Sequence, residues 1–432
     1  MVEFEKGKKI KVHGGQKLEI IEKLGEGGQG IVYKVLYADR QMALKWYFPN
    51  KLSDSRAFYD NLLNNIKQGA PNKSFLWPQM ITEWYDGSFG YLMELRKNEY
   101  KDFSLFLLAK ERFSSITALI NAALQITAGF RELHNRGYSY QDLNDGNFFV
   151  NPQNGDVLIC DNDNVAPYGD NLGIAGKCRY MAPEVVVGKK LPDVHTDRFS
   201  LAVILYLILF MNHPLEGKNT MYPCLTESNE KKIYGTNPMF VWDEKNDINR
   251  PVRGVHANEM LLWPVYPSFV RKTFQKAFSQ EALIGEDITH RVIEKEWEEM
   301  LTKLRDVTIR CQCGDETFIN PVVPVSTCIN CGKSIERPAI LSVKRYKVPL
   351  AAGKKIYSCH VQKYSDDFRL PQGEIVRNPN NPDLLGLKND SECTWEIIFP
   401  DGSRRSCESG KTFMIKKGLK IDFGDDNIGE IN

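Results

Sequence analysis

Residues 140–147 have the sequence YQDLNDGN, and the interpretation of the chain grows outward from this octapeptide. It places Asn147 five residues after Asp142, a spacing at which an aspartate can accept a hydroxyl proton while an asparagine holds Mg²⁺. The apolar stretch 157–160 then ends at Asp161, where a carboxylate can bind a metal that bridges the β- and γ-phosphates of a nucleotide. These three side chains predict a metal–triphosphate site.

A glycine cluster and a lysine lie upstream of this site. Residues 17–49 alternate apolar and polar positions, as strands joined by a turn would. Lys45 follows on the next predicted strand and can pair with α- and β-phosphates, although a solvated surface lysine is the simpler alternative. Glycines have no Cβ atom and can therefore let backbone N–H groups approach phosphates; those of the cluster are Gly25, Gly27, Gly28 and Gly30. Taken alone, they fit an ordinary hairpin equally well.

Composition restricts the class of protein. At about 150 residues per domain, 432 residues allow about three domains. Apolar residues make up 42% and charged residues 26%, as in globular proteins, and the formal charge, 56 − 55 = +1, predicts binding neither to nucleic acid nor to an anionic membrane. The N-terminus lacks a signal peptide, and the apolar run 199–211 is too short to span a membrane. We therefore expect a cytoplasmic protein with reduced thiols and no membrane span.

The order of these motifs, completed by Met-Ala-Pro-Glu at 181–184, resembles that of eukaryotic-type Ser/Thr protein kinases. The resemblance covers residues 17–304 and implies a bilobal α+β fold that transfers the γ-phosphoryl group of Mg-ATP, or Mn-ATP, to a protein hydroxyl. It implies that Asp142 is the base, that Lys45 orients the phosphates, and that Asn147 and Asp161 hold the metal. It also implies that Asp197 anchors the catalytic loop and that an adenine pocket is lined by Val32, Ala43, Glu94 and Leu95.

A narrower resemblance rests on three segments, 213–217 (HPLEG), 234–241 (YGTNPMFV) and 249–252 (NRPV). They are similar to a bacterial branch of these kinases that is often encoded beside a PP2C-type phosphatase and a von Willebrand A-type protein. The resemblance implies those two partners in addition to a protein substrate.

The sequence also departs from the kinase pattern. Tyr140 and Gln141 replace the usual His-Arg before Asp142, and residues 161–184 contain no serine or threonine, so we expect activity that does not depend on phosphorylation of this loop. Asn144 replaces the usual lysine, and we expect Lys177 to supply the missing charge. Since no glutamate lies between residues 46 and 82, Asp60 and Asn64, on a helix predicted over 53–67, are the candidates to pair with Lys45.

Asp163 belongs to Asp-Asn-Asp, which replaces the usual Asp-Phe-Gly. We interpret it as a solvated turn aspartate, with a second metal carboxylate as the alternative. A different class of function also stays open, namely a pseudokinase adaptor or scaffold that acts through its C-terminal modules.

Two modules follow the kinase-like region. Four cysteines with the spacing of a zinc ribbon predict a closed, structural Zn²⁺ site, against the alternative of unligated thiols: Cys311, Cys313, Cys328 and Cys331. Residues 418–424 (GLKIDFG) resemble the last strand of a forkhead-associated β-sandwich. We therefore predict an extension (1–16), a kinase domain (17–305), a zinc ribbon (306–338) and an all-β sandwich (339–432), with Ser358 and His360 on a strand surface.

Overall fold

The alternating N-terminal sequence forms an antiparallel six-stranded sheet in the computed structural model, which describes residues 3–49, 51–52, 54–170, 176–285, 287 and 290–432. Its strands are β1 (Lys9–Lys11), β2 (Lys17–Glu26), β3 (Gly30–Tyr37), β4 (Arg40–Tyr47), β5 (Met80–Ile81) and β6 (Gly90–Glu94). Their order is β1-β2-β3-β4-β6-β5, and most of the central strand β4 is buried. Gly30 is required by packing, since a Cβ there would lie 2.1 Å from the Trp46 carbonyl oxygen.

The described residues form two compact units. The first comprises those of 1–114, 121–264 and 271–298, and the second those of 115–120, 265–270 and 299–432. The helices are α1 (Ser55–Gln68), α2 (Phe103–Leu107), α3 (Ile116–Asn135), α4 (Pro183–Val186), α5 (Val194–Phe210), α6 (Glu227–Lys231), α7 (Ala257–Leu262), α8 (Ser268–Ala277), α9 (Gln280–Ile284), α10 (Glu294–Val307) and α11 (Ser358–Val361).

Local sequence explains where the main helices begin and end. Asp54 caps α1 by accepting hydrogen bonds from the backbone N–H groups of Arg56 and Ala57, and Asp193 caps α5 in a reciprocal arrangement with Thr196. Helix α5 contains most of the apolar run 199–211 and is buried along nearly all its length. No helix in the described ranges combines the length and apolarity needed to cross a membrane.

Short strands in the first unit position the loops of the site. They are β7 (Lys101–Asp102), β8 (Tyr138–Ser139), β9 (Phe148–Val150), β10 (Val157–Ile159) and β11 (Ala166–Pro167). Strand β9 pairs with β10, and β8 pairs with β11. Residues 140–147 follow β8 and residues 161–165 follow β10, so these pairings fix both ends of the candidate catalytic loop.

The second unit is rich in sheet. It contains β12 (Thr308–Arg310), β13 (Glu316–Phe318), β14 (Val325–Thr327), β15 (Ser334–Glu336), β16 (Ile340–Val343), β17 (Tyr346–Pro349), β18 (Lys355–Tyr357), β19 (Pro371–Arg377), β20 (Leu385–Asn389), β21 (Trp395–Ile398), β22 (Arg404–Cys407), β23 (Thr412–Met414), β24 (Lys420–Asp422) and β25 (Ile428–Ile431). Two hairpins carry the cysteines. A six-stranded sheet, β17-β16-β25-β24-β21-β22, and a four-stranded sheet, β18-β19-β20-β23, follow.

Some sequence predictions differ from this structure. Apolar positions recur at helical spacing over 104–133, which indicates helix, but the structure has two helices there, α2 and α3, separated where Ala109 has a φ of 54°. The helix predicted over 53–67 is observed as α1, and Ser53 lies outside the described residues. Ser358 and His360 do not lie on a strand surface, because both are buried in α11. Helix α10 runs through position 305/306, and the domain borders stay predictions.

Candidate functional site

A buried carboxylate of α5 holds the backbone of the loop that carries Asp142. Asp197 accepts hydrogen bonds from the backbone N–H groups of Tyr140, at 2.6 Å, and Gln141, at 3.0 Å. His134 lies 3.2 Å from the same carboxylate and 2.8 Å from Glu294. Burial lowers the pKa of His134, but these two carboxylates outweigh burial and raise it to about 9, so the imidazolium holds both acids in place.

Asp142, Asn144 and Asn147 form one short network. The Asn144 side-chain amide lies 3.3 Å from Oδ1 of Asp142, and Oδ1 of Asn147 accepts a 2.6 Å hydrogen bond from the Asn144 backbone. Burial raises the pKa of Asp142 to about 6, which the hydrogen bond from Asn144 opposes. A loop carboxylate whose pKa is raised toward neutral pH is suited to accept a proton.

Lys45 connects the sheet with the segment that follows β10. Its ammonium lies 3.1 Å from Oδ1 of Asp161 and 2.8 Å from Oδ2 of Asp163. Burial lowers the pKa of Lys45, but the two aspartates raise it well above its ordinary value, so the side chain is cationic. Asp161 has a φ of 54° and keeps 44% of its side chain exposed, which leaves its carboxylate accessible to a cation.

The prediction for Asp163 was wrong. This side chain is fully buried and accepts hydrogen bonds from the hydroxyl groups of Tyr47, at 2.5 Å, and Tyr91, at 3.4 Å, in addition to Lys45. Asp60 instead pairs with Arg56 on the exposed side of α1. Lys45 thus receives its second carboxylate from the turn after β10, and neither Asp60 nor Asn64 takes that position.

Neutral amides fasten helix α1 to the same turn. Asn61 and Asn65 each donate a 2.9 Å hydrogen bond to the carbonyl oxygen of Val165. Asn162, in the position of the usual phenylalanine, is buried and donates to the carbonyls of Leu76 and Ile159. These hydrogen bonds hold α1 and the segment 161–165 together without an ion pair between them.

Lys177 lies beside the candidate catalytic loop. Its ammonium is 2.9 Å from Oδ1 of Asn144 and 3.3 Å from Oδ1 of Asp145, while 59% of the side chain is exposed. Its positive charge also lowers the pKa of Asp142, against the effect of burial. Lys177 therefore places a positive charge next to the neutral Asn144 side chain.

The nucleotide-facing residues predicted from sequence lie on β2, β3, β4 and β6, in the turn between β2 and β3, and directly after β6. A Cβ added at Gly25, Gly27 or Gly28 would meet no atom within 4 Å, so open space lies beside these three residues. Val32, Ala43 and Leu95 belong to one apolar cluster that also contains Met93, Cys160 and Phe149. Glu94 is exposed and pairs in register with Met42. The predicted adenine-lining residues thus share one apolar surface, apart from the exposed Glu94.

Helix α4 is held by a guanidinium in its first turn. Arg291 donates two 2.8 Å hydrogen bonds to the carboxylate of Glu184. Gln141, in place of an arginine, donates from its amide to the Asp170 carbonyl at 2.7 Å. The candidate catalytic loop therefore contacts Asp170 through a neutral side chain and not through a cationic one.

In the second unit, the four predicted zinc ligands converge. The Sγ atoms of Cys311, Cys313, Cys328 and Cys331 all lie within 4.8 Å of one another. Two pairs, 311–331 and 313–328, are 3.8 and 3.9 Å apart. Because Zn–S bonds of about 2.3 Å in a tetrahedron place sulfur atoms about 3.8 Å apart, this donor set fits Zn²⁺ and leaves no open coordination position.

Replacing one zinc ligand should therefore remove the metal and lower the stability of the protein. We expect the purified protein to contain one Zn²⁺ per chain, and Cys311→Ser to lose it and to unfold at a lower temperature, since structural zinc contributes directly to folding. Elemental analysis and thermal melts measure both effects. The matched control is Cys224→Ser, an exposed cysteine outside the cluster. Full metal content in Cys311→Ser would contradict the assignment.

Comparisons with known proteins identify the family of the first unit's sequence. Residues 18–280 match the family described as protein kinase domain. A probable serine/threonine-protein kinase CCRP1 from Zea mays is 29% identical over 202 residues, which cover 45% of this chain and 31% of the maize protein. The serine/threonine-protein kinase PSK1 of Saccharomyces cerevisiae is 24% identical over 212 residues, covering 45% of this chain and 15% of that protein. The chain thus spans less than a third of the length of these two relatives.

Proposed function

Because the chain belongs to the protein kinase family, we propose that it transfers the γ-phosphoryl group of Mg-ATP to serine or threonine hydroxyls of a protein substrate. The observation that carries the proposal is the convergence of Lys45, Asp161 and the loop of Asp142 and Asn147 in one unit. Lys45 lies 3.1 Å from Asp161, and Asn144 links Asp142 and Asn147 through hydrogen bonds of 3.3 and 2.6 Å. The backbone N–H of Cys160, next to Asp161, donates a 2.9 Å hydrogen bond to the carbonyl oxygen of Asn147 and connects the two groups.

Each residue has a role that its position supports. Asp142 orients the acceptor hydroxyl and takes its proton as the oxygen bonds to the γ-phosphorus and the bond to the leaving ADP oxygen breaks. Lys45 holds the α- and β-phosphates, and Gly25, Gly27, Gly28 and Gly30 cover them. Asn147 and Asp161 are oxygen donors of the kind that Mg²⁺ prefers, and the ion neutralises phosphate charge when bound.

Lys177 supplies the charge that Asn144 lacks. Its ammonium already contacts the Asn144 side chain, so a reach toward the transferred phosphoryl group needs only a change of rotamer in a half-exposed lysine. Positioning and charge neutralisation provide most of the catalysis in phosphoryl transfer, which makes such a cation valuable. We propose Lys177 as the third catalytic side chain beside Asp142 and Lys45.

The pH dependence of kcat/KM follows from the raised pKa of Asp142. The base must be ionised, and its pKa of about 6 means that activity falls as the pH drops through 6, by about tenfold for each further unit. Initial rates between pH 5 and 8, with substrate far below KM, measure this profile. A half-maximal rate near pH 4, the value for an ordinary aspartate, would contradict the role of Asp142.

The direct test is transfer of label from [γ-³²P]ATP with Mg²⁺ to a mixture of proteins, read with a thermal-shift measurement in Mg-ATP. Transfer and a shift together support the kinase. A shift without transfer indicates the adaptor, a pseudokinase that uses its C-terminal modules as interaction surfaces, for which the replacement of lysine by Asn144 is the argument. The absence of both transfer and thermal shift would overturn the proposal that the protein binds nucleotide.

The partners and the setting are proposed from the narrower resemblance. Residues 213–217, 234–241 and 249–252 support a place in a bacterial signalling system with a PP2C-type phosphatase and a von Willebrand A-type protein, in the cytoplasm. The zinc ribbon and the β-sandwich, which resembles forkhead-associated domains, would then serve as docking modules. His360 in this sandwich contacts the buried Asp306 at 3.1 Å and is a structural residue, not a phosphate reader.

A further inference from the structure

The segment 178–184, called here the platform segment, carries an arginine that points back into the protein. The Nε and Nη2 atoms of Arg179 donate hydrogen bonds of 2.5 and 3.0 Å to the two carboxylate oxygens of Glu216. Glu216 belongs to residues 213–217, one of the three segments that set this sequence apart, and the reaction described above gives it no role.

The pair is reinforced from two further sides. The Tyr234 hydroxyl donates a 2.7 Å hydrogen bond to Glu216. His213 is fully buried; its Nδ1 accepts a hydrogen bond from the Leu215 backbone, so Nε2 carries the proton and donates to the Arg179 carbonyl at 2.8 Å. The next carbonyl, that of Tyr180, accepts a 2.7 Å hydrogen bond from a serine of α5, Ser200.

Close packing also holds the platform segment in place. A Cβ on Gly235, next to Tyr234, would lie 2.7 Å from the side chain of Val186 and 2.9 Å from that of Val187. The turn 232–236 is therefore in close contact with α4, the helix that begins within the platform segment. Glu216 is ionised throughout the physiological range: burial raises its pKa, but His213, Arg179 and Tyr234 outweigh burial and lower it to about 2.

We propose that Glu216 is a positioning residue that anchors the platform segment through Arg179, doing permanently what a phosphate on the loop does where a kinase is switched by phosphorylation. The charges are reversed relative to that device, because here the segment carries the cation and the body carries the anion. The inference rests on the proposed kinase activity and adds that the peptide-binding surface forms without modification.

The experiment measures hydrogen exchange of residues 178–184 and the KM values for protein substrate and for ATP. For Glu216→Gln in the full chain, we expect faster exchange in this segment and a KM for protein about tenfold higher, because the charge-assisted hydrogen bonds to Arg179 are weakened, with the KM for ATP unchanged. Phosphate-free wild type, verified by intact mass, should be fully active. The matched control, Glu281→Gln, removes an exposed carboxylate 3.9 Å from Lys245 and should change nothing.

A double-mutant cycle makes the result specific. Arg179→Gln should have the effect of Glu216→Gln, and the double variant should add little to either. Arg179→Gln also replaces Glu216→Gln should the latter not fold. Unchanged exchange and KM in both single variants, or a wild type that needs phosphate, would overturn the anchor. A wild type without any transfer would overturn the kinase proposal, while hydrogen exchange would still decide on the anchor.

Discussion

Asp142→Ala is expected to lower kcat by about 10²–10⁴-fold, because the variant lacks the base that takes the acceptor proton. The KM for ATP should stay near the wild-type value, since Lys45, Asn147 and Asp161 are intact. Initial rates of label transfer over a range of Mg-ATP concentrations, at a fixed concentration of protein substrate, measure both parameters. Equal rates for variant and wild type would mean that another group performs the chemistry, or that the measured transfer comes from a contaminant.

Stability distinguishes this loss from misfolding. Burial raises the pKa of Asp142 above its unfolded value, so its ionised form destabilises the folded state at neutral pH, and this cost disappears below both pKa values. Asp142→Ala should therefore melt at the wild-type temperature or slightly above it. A melt well below that of the wild type would show that the loop depends on this side chain for its fold, and the kinetic result would then need the isosteric variant Asp142→Asn.

Asp163→Asn is expected to reduce kcat/KM for ATP on the order of 10²-fold, because Lys45 loses the buried carboxylate that orients it toward the phosphates. The free energy of unfolding should also fall, by roughly 1.5–3 kcal/mol, as a hydrogen bond to a charged group is weakened. Chemical denaturation and steady-state kinetics measure the two effects.

The control is Asp60→Asn, which removes the exposed carboxylate that pairs with Arg56 on helix α1. It should have wild-type kinetics and stability, since exposed pairs of this kind contribute about 0.3–0.5 kcal/mol. The reverse result, with Asp60→Asn impaired and Asp163→Asn normal, would place the partner of Lys45 on the helix after all and would contradict the arrangement described here.

Short-range spacing predicted which residues belong to the candidate site, and their catalytic roles stay predictions. Asp142 and Asn147 lie on one loop, Asp161 follows β10, and Lys45 lies on β4, where a long-range contact brings it to Asp161. Short-range spacing also predicted the cysteine cluster, because hairpins fix the distance within each pair. The kinase fold itself is confirmed by the family match over 18–280.

The partner of Lys45 was missed because its role depends on tertiary contacts across the chain. Asp163 looks like a turn aspartate until strand register is known. Lys45 and Tyr47 lie on one face of β4, since side chains two apart share a face, and Tyr91 is directly opposite Lys45 on β6. Two buried hydroxyl groups beside a lysine, together with the absence of glutamate from 47–81, were the available signal for a carboxylate supplied from elsewhere.

The amide bonds from Asn61 and Asn65 to Val165 have a consequence for how output is controlled. Uncharged donors are affected little by ionic strength, and neither the asparagine amides nor the valine carbonyl has a group that takes up a proton in the physiological range or accepts a phosphate. A kinase whose helix is fastened in this way has no obvious resting conformation to leave. We therefore expect cells to govern its signal through the amount of protein made, the delivery of substrates and the speed with which their phosphate groups are removed.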